Sequence, residues 1–234
     1  TVIVAAGRGS RLLANTDDRP KTLLPLGDGT ILSAILESFQ HAGCADFVVV
    51  AGYHGDQLVR FAAAPPPGTR IEVVENAEWT RGNGISVYAA RAIVGDAPFL
   101  LSMSDHLVSP AALRALREAP PGPALLLVDP RVDQVIDLDD ATKVWVEDGR
   151  IVRIGKELDR YNAVDCGVFR LDGRYFPAME AALAQGQEGI SDAMRHLIAA
   201  GVLAALPLPE GAAWVDIDTP DAYAHAQAHL PAYR

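Results

Sequence analysis

The chain has 234 residues, half of them hydrophobic, which is enough to bury a sizeable core in one large α/β domain or one domain with a small insertion. Its 20 basic and 30 acidic side chains leave a formal charge of -10, which argues against a general nucleic-acid surface or an anionic-membrane surface. The basic residues are not spread evenly, however, and the first 21 positions are locally cationic.

Val2, Ile3 and Val4 begin a buried strand, and the small Ala5-Ala6-Gly7 end lets a ribose or base lie close to the backbone. Gly7 and Gly9 free the following loop to turn its N–H groups toward phosphate. Arg8, Arg11 and Lys21 then place three cations in one loop-sized segment, with forked donors from arginine and a point charge from lysine. A P-loop is absent, and Leu12 stands where a dinucleotide fingerprint needs its third glycine, so neither a kinase-type NTPase nor a dehydrogenase is favoured.

Thr30 is expected to cap a helix carrying Ile31, Leu32, Ile35, Leu36 and Phe39, ending near Gly43. Next come a strand over 46–51, a helix over 55–64, a proline turn, a strand over 70–75, a helix over 86–94 and a strand over 99–103. This alternation predicts a doubly wound α/β fold with a mostly parallel sheet. Residues 124–129 read as a further strand, while 143–147 and 150–154 read as a hairpin about Asp148-Gly149, in a small β-rich insertion around 130–170 beside the sheet. Helices over 175–184 and 191–200, strands over 202–206 and 213–217, and a helix over 219–229 complete a single predicted domain over 1–234.

In an open α/β sheet, ligands gather at the carboxyl ends of strands, and three motifs reach that edge. The first is the glycine loop. The second ends the strand Phe99-Leu-Leu-Ser-Met-Ser with Asp105, a candidate ligand for magnesium or a turn residue ahead of Pro110; His106 beside it reads as structural or as a ligand. The third is Trp214-Val-Asp-Ile-Asp218, where Asp216 and Asp218 share one face and either can be the second metal carboxylate. Thr219-Pro220 also reads as a helix start, so one aspartate can serve helix entry. Between these lie Asn83, Gly84 and Ser86, which offer a pyrimidine-reading edge or an ordinary turn.

The Ala-Ala-Gly-x-Gly-x-Arg-Leu run with Pro20-Lys21 resembles the nucleotidyltransferase signature of the sugar-nucleotide pyrophosphorylase superfamily. Trp79-x-x-Gly-Asn-Gly-x-Ser86, Met103-Ser-Asp-His106, Asp140-Ala-Thr-Lys-Val144, Val146-Glu-Asp-Gly-Arg150, Ile154-Gly-Lys156, Val164-Asp-Cys-Gly167 and Trp214-Val-Asp-Ile-Asp-Thr219 sharpen that likeness. Over nearly the whole chain they resemble the CTP:inositol-1-phosphate cytidylyltransferase domain. The resemblance implies a Rossmann-like nucleotidyltransferase fold and Mg2+-dependent transfer from CTP to inositol 1-phosphate. It makes Arg11, Lys21 and Lys156 catalytic, with Arg11 and Lys21 on the triphosphate and Lys156 on the acceptor phosphate.

Ala5, Ala6, Gly7, Arg8, Gly9, Asn83, Gly84, Ser86 and Asp105 are the expected nucleotide-binding residues, and Lys143, Lys156 and Asp165 the acceptor-binding ones. Lys143 reads equally as a solvated strand lysine, and Asp165 equally as a turn residue. The resemblance makes Asp105 and Asp216 metal ligands, with Asp218 an additional candidate. Such domains are often fused to a membrane-embedded CDP-alcohol transferase, which makes functional coupling to one an expectation.

Two alternatives stay open: another phosphorylated acceptor, namely a sugar 1-phosphate, phosphocholine or a phosphonate, and a noncatalytic nucleotide or sugar-phosphate sensor. A homo-oligomer is also open. Cys44 and Cys166 form no C-x-x-C pair and read as buried thiols of a reducing compartment. No secretion signal and no run of about 20 apolar residues is found, so a soluble cytoplasmic location is expected. The chain starts without methionine, inside its first strand, as an excised domain or processed product would.

Overall fold

A computed structural model describes residues 1–9, 12 and 18–234. β1 (Val2–Ala5) is buried along its whole length, and a 3-10 turn forms over Lys21–Leu23. The short pair β2 (Pro25–Leu26) and β3 (Gly29–Thr30) then feeds α1 (Ile31–His41). Thr30 caps that helix as expected: Ser33 N–H donates to Thr30 Oγ1 at 3.1 Å, and Thr30 N–H donates to Ser33 Oγ at 2.7 Å. Such a reciprocal cap is worth about 1 kcal/mol.

β4 (Asp46–Ala51), α2 (Gly55–Ala62), β5 (Arg70–Glu75), α3 (Asn83–Ala89), α4 (Arg91–Val94) and β6 (Phe99–Met103) continue the alternation. The predicted helix over 86–94 therefore starts three residues earlier and divides at Ala90. β7 (His106–Val108) and α5 (Pro110–Glu118) follow, then β8 (Ala124–Asp129). β9 (Lys143–Glu147) and β10 (Arg150–Gly155) form the hairpin, turned by Asp148 and Gly149 at φ of 48° and 75°. Left-handed geometry at both turn positions is what suits Asp-Gly to a tight hairpin. β11 (Ala163–Leu171), α6 (Tyr175–Leu183), α7 (Ile190–Ala199), β12 (Leu203–Pro207), β13 (Trp214–Asp216) and α8 (Pro220–Ala228) follow, with a 3-10 turn over Leu230–Tyr233 after them.

The main sheet runs β5-β4-β1-β6-β11-β8-β12-β10-β9. Strands β5, β4, β1 and β6 are parallel, whereas β11 runs antiparallel to both β6 and β8. The sheet is thus mixed, and the hairpin read as lying beside it is part of it, with β10 paired to β12 and β9 paired to β11. Alternation along β1 explains the two cores. Ile3 and Ala5 join one with α1 and α5, while Val2 and Val4 join the other with α3, α6 and α7. Each fully buried valine or leucine contributes about 1.5–3 kcal/mol to holding helices on both faces.

Two features carry the site. The small pair of β7 and β13 sets Trp214 opposite Val108 and Asp216 opposite His106, and Ile217 N–H donates to the Asp105 carbonyl at 2.9 Å. The second feature is a register shift in β11 between Asp165 and Phe169, with Gly167 at φ +71°. A Cβ on Gly167 would lie 2.2 Å from His106 Cδ2, so the glycine makes room for the imidazole as well as the turn of backbone.

Candidate active site

Two cavities meet at the carboxyl end of β6. The first, of about 330 Å3, is walled by Ala5, Gly7, Gly9, Lys21, Asn83, Ser86, Asp105 and Asp218 among others. Gly9 has φ +65°, and a Cβ there would come within 2.4 Å of Lys21 Cβ, so only glycine lets the loop lie on the lysine stem. Space around Gly7 is open. Ala6 is turned away from this cavity, its carbonyl accepting Tyr53 N–H at 2.9 Å. Arg8 lies over the Tyr53 ring, 5.6 Å from the centroid. Arg11 lies outside the described residues.

The 3-10 turn behind Pro20 directs Lys21 inward, where it is 6% exposed. Its Nζ donates to Asp105 Oδ2 at 2.6 Å and also to Asp218 Oδ1. Burial works against the ammonium charge, but the Asp105 and Asp218 carboxylates outweigh it and hold the lysine above its ordinary range. On the α3 side, Ser86 Oγ accepts a hydrogen bond from Asn76 Nδ2 at 3.0 Å, and Asn83 Oδ1 accepts Ile190 N–H at 2.8 Å. Gly84 is buried away from the cavity. A side chain there would strike Met179 Sδ at 2.6 Å and the Glu188 carbonyl at 2.7 Å, so its place is a packing contact among α3, α6 and the start of α7.

At the junction, Asp105, His106 and Asp216 offer ligand atoms within 4.8 Å of one another. His106 Nδ1 is 2.8 Å from Asp105 Oδ1 and 3.8 Å from Asp216 Oδ1. Burial opposes charge on the imidazole, yet Asp216, Asp105 and Asp165 together raise it to about 9. Burial also disfavours the Asp105 carboxylate, but Lys21 and His106 hold it well below the usual range. Asp216 is the contrasting group: burial pushes it up to about 6, and its Oδ1 is buried without a hydrogen-bond partner. An orphaned carboxylate oxygen facing a second carboxylate suits a divalent metal ion with hard-oxygen preference. Of the two predicted partners for Asp105, Asp216 has the open oxygen, whereas Asp218 is engaged by Lys21. His106 serves Asp105 through a hydrogen bond.

The second cavity, of about 210 Å3, shares Asn83, Met103, Asp105 and Asp218 with the first and extends to Lys156, Asp165, Asp140, Trp214 and Asp216. Lys156 Nζ donates to Asp140 Oδ1 at 2.7 Å. Asp165 Oδ1 accepts Gly167 N–H at 2.7 Å, while burial, the dominant influence, lifts its carboxyl to about 6. Lys143 is buried outside this cavity and donates to the Asp139 carbonyl at 2.8 Å, bracing the 137–142 segment.

Several contributors were not assigned roles from sequence. Trp214 Nε1 donates to Asp129 Oδ2 at 2.8 Å, and its ring stacks on His106 at 6.0 Å and 16°. Arg131 in turn clamps both Asp129 oxygens, at 2.9 and 3.0 Å. Trp79 and Arg81 line the first cavity. A tryptophan beside a glycine turn at a strand end was the available signal for Trp79, whereas the partners of Trp214 come together only through strand pairing.

A family model described as a MobA-like NTP transferase domain matches residues 1–202. A bifunctional IPC transferase and DIPP synthase of Rubrobacter xylanophilus is 36% identical over 222 residues, covering 93% of this chain and 49% of that protein. Its namesake in Aquifex aeolicus is 33% identical over 233 residues, covering 98% and 51%. The chain spans about half the length of these curated relatives. Among solved structures, the inositol-1-phosphate CTP transferase from T. maritima superposes with a TM-score of 0.84 at 27% identity, covering 98% of this chain and 94% of that one. The glycine loop, the carboxylate junction and the match over residues 1–202 agree: the chain belongs to the MobA-like NTP transferase domain family.

Proposed function

We propose that this chain is a magnesium-dependent cytidylyltransferase that joins CTP to inositol 1-phosphate, giving CDP-inositol and pyrophosphate. The observation that carries the reading is the pair of cavities sharing Asp105: one has the glycine loop and Lys21, the other Lys156 and Asp165. The similarity to the T. maritima inositol-1-phosphate CTP transferase and to the two bifunctional relatives supports the choice of substrates.

In this reading an oxygen of the acceptor phosphate attacks the α-phosphorus of CTP. A new P–O bond forms as the bond from the α-phosphorus to the bridging oxygen breaks, and that electron pair leaves on pyrophosphate. The nucleophile is already anionic near neutral pH, so no serine or cysteine nucleophile is required. The chief difficulty is to hold two anions in line. Lys21 and Arg11 neutralise the triphosphate, the Gly7–Gly9 backbone approaches it closely, and Lys156 leaves Asp140 to hold the acceptor phosphate. Asp165 accepts hydrogen bonds from acceptor hydroxyls. Asp105 and Asp216 would hold Mg2+, which supplies charge neutralisation to nucleotide oxygens at the junction.

The fold contains no helix, among the described residues, long and apolar enough to cross a membrane. The reaction is assigned to the reducing cytoplasm, in keeping with two free cysteines. We infer that its product passes to a CDP-alcohol transferase, a reading that the bifunctional names of the relatives support only in that they pair two activities. Pyrophosphate release across an NTP panel, with inositol 1-phosphate beside sugar phosphates, phosphocholine and phosphonates, tests the reading. CDP-inositol by mass with a CTP preference is expected; a different nucleotide-linked product, or binding with no product, contradicts it.

A further inference from the structure

The geometry points to Trp79 as the aromatic wall against which the nucleobase stacks, an assignment that rests on the nucleotidyl-transfer reading. The lining of the first cavity brings Trp79 together with the small residues Ala5 and Gly7 and with the charged groups Lys21, Asp105 and Asp218. The charged groups suit phosphate, and an indole beside small residues suits a flat heterocycle.

The indole is held in place from behind. Trp79 follows β5 in the turn that leads to α3, and its ring packs on Tyr53 with centroids 5.5 Å apart and planes tilted 58°. Gly52 sits between Trp79 and the end of β1: a Cβ there would lie 2.3 Å from Trp79 Cβ and 2.7 Å from the Ala6 carbonyl oxygen. Only glycine at position 52 allows the tryptophan to approach the Ala5-Ala6-Gly7 edge. That carbonyl also accepts Tyr53 N–H at 2.9 Å, which ties the aromatic backing to the glycine loop. Trp79 is half-buried and lines the cavity, so it is backed by the protein and still meets the space open to a ligand. Packing of this kind pre-orders the wall before the nucleotide arrives, so that stacking the base costs little reorganisation.

The test is calorimetric titration of wild type and Trp79→Ala with CTP in magnesium buffer, paired with fluorescence titration of wild type and Trp79→Phe. Removing the ring is expected to weaken CTP about ten-fold, the loss of one stacked base. Trp79→Phe keeps an aromatic face, so CTP binding should stay within about three-fold of wild type while the CTP-dependent change in indole emission disappears. Wild-type affinity in Trp79→Ala, or a wild-type emission change in Trp79→Phe, overturns the assignment. If wild type itself fails to bind CTP, the nucleotidyl-transfer reading falls first and this inference with it.

Discussion

The two cavities are built in different ways. The nucleotide side is largely local: a strand end, two glycines and Lys21 fall within the first 21 residues, joined by the turn over 79–86. The acceptor side is assembled at long range, because His106, Asp165, Lys156 and Trp214 come from β7, β11, the end of β10 and β13. A phosphate-binding loop can be written in one stretch of sequence, whereas an acceptor pocket depends on strand register. Variants should therefore divide by side, and the shared carboxylates Asp105 and Asp218 should affect both.

The largest effect is expected at the junction. Asp105→Asn should lower turnover about a thousand-fold, since it removes the carboxylate that meets Lys21, His106 and the proposed metal position. Steady-state assay of the folded variant checks this. Gly167→Ala comes next. Its new Cβ would displace His106 and would sit at positive φ, so a loss of about 1–3 kcal/mol in stability and about ten- to a hundred-fold in kcat is expected, with CTP affinity nearly unchanged. Thermal melts and CTP titration separate the two. An equal loss on the nucleotide side would break the distinction between cavities.

Lys156→Ala should raise the acceptor KM about ten-fold and leave the CTP KM within about two-fold, because its present partner Asp140 lies on the acceptor side alone. The smallest effect is a pH signature. Asp165 has a folded pKa of about 6, above its ordinary 3.8, so its ionised form opposes folding above pH 6, and that cost fades as the pH falls through 6 toward 3.8. Asp165→Asn should accordingly raise the melting temperature by a few degrees at pH 8 and by less at pH 5, while weakening acceptor binding.

The same division governs what could be read from the sequence. Strands β4, β5, β6, β8 and β9 match their expected bounds, because each is a dense apolar or alternating run between turn residues. β11 was not read as a strand, since Asp165 and Gly167 interrupt its alternation where its register shifts. α5 was also passed over, although Ser109-Pro110 with Ala112, Leu113 and Leu116 gives it a start and an apolar face. The hairpin could be recognised from Asp148-Gly149, but its place in the main sheet depends on pairing with β12 and β11, which no local signal encodes.

Among site residues, Lys21 donates to Asp105, a pairing that neither motif encodes, and the orphaned oxygen of Asp216 distinguishes it from Asp218 only in three dimensions. Lys143 and Lys156 are both candidate acceptor contacts in the sequence, Lys143 reading equally as a solvated strand lysine. Burial and a carbonyl partner separate them.

The most direct measurement is CDP-inositol formation, by mass, from CTP and inositol 1-phosphate with magnesium, for wild type and Asp105→Asn side by side. Robust product from wild type and about a thousand-fold less from the variant is the predicted result. No CDP-inositol from wild type, or equal yields from the two, would contradict the account of a cytidylyl transfer centred on the Asp105 junction.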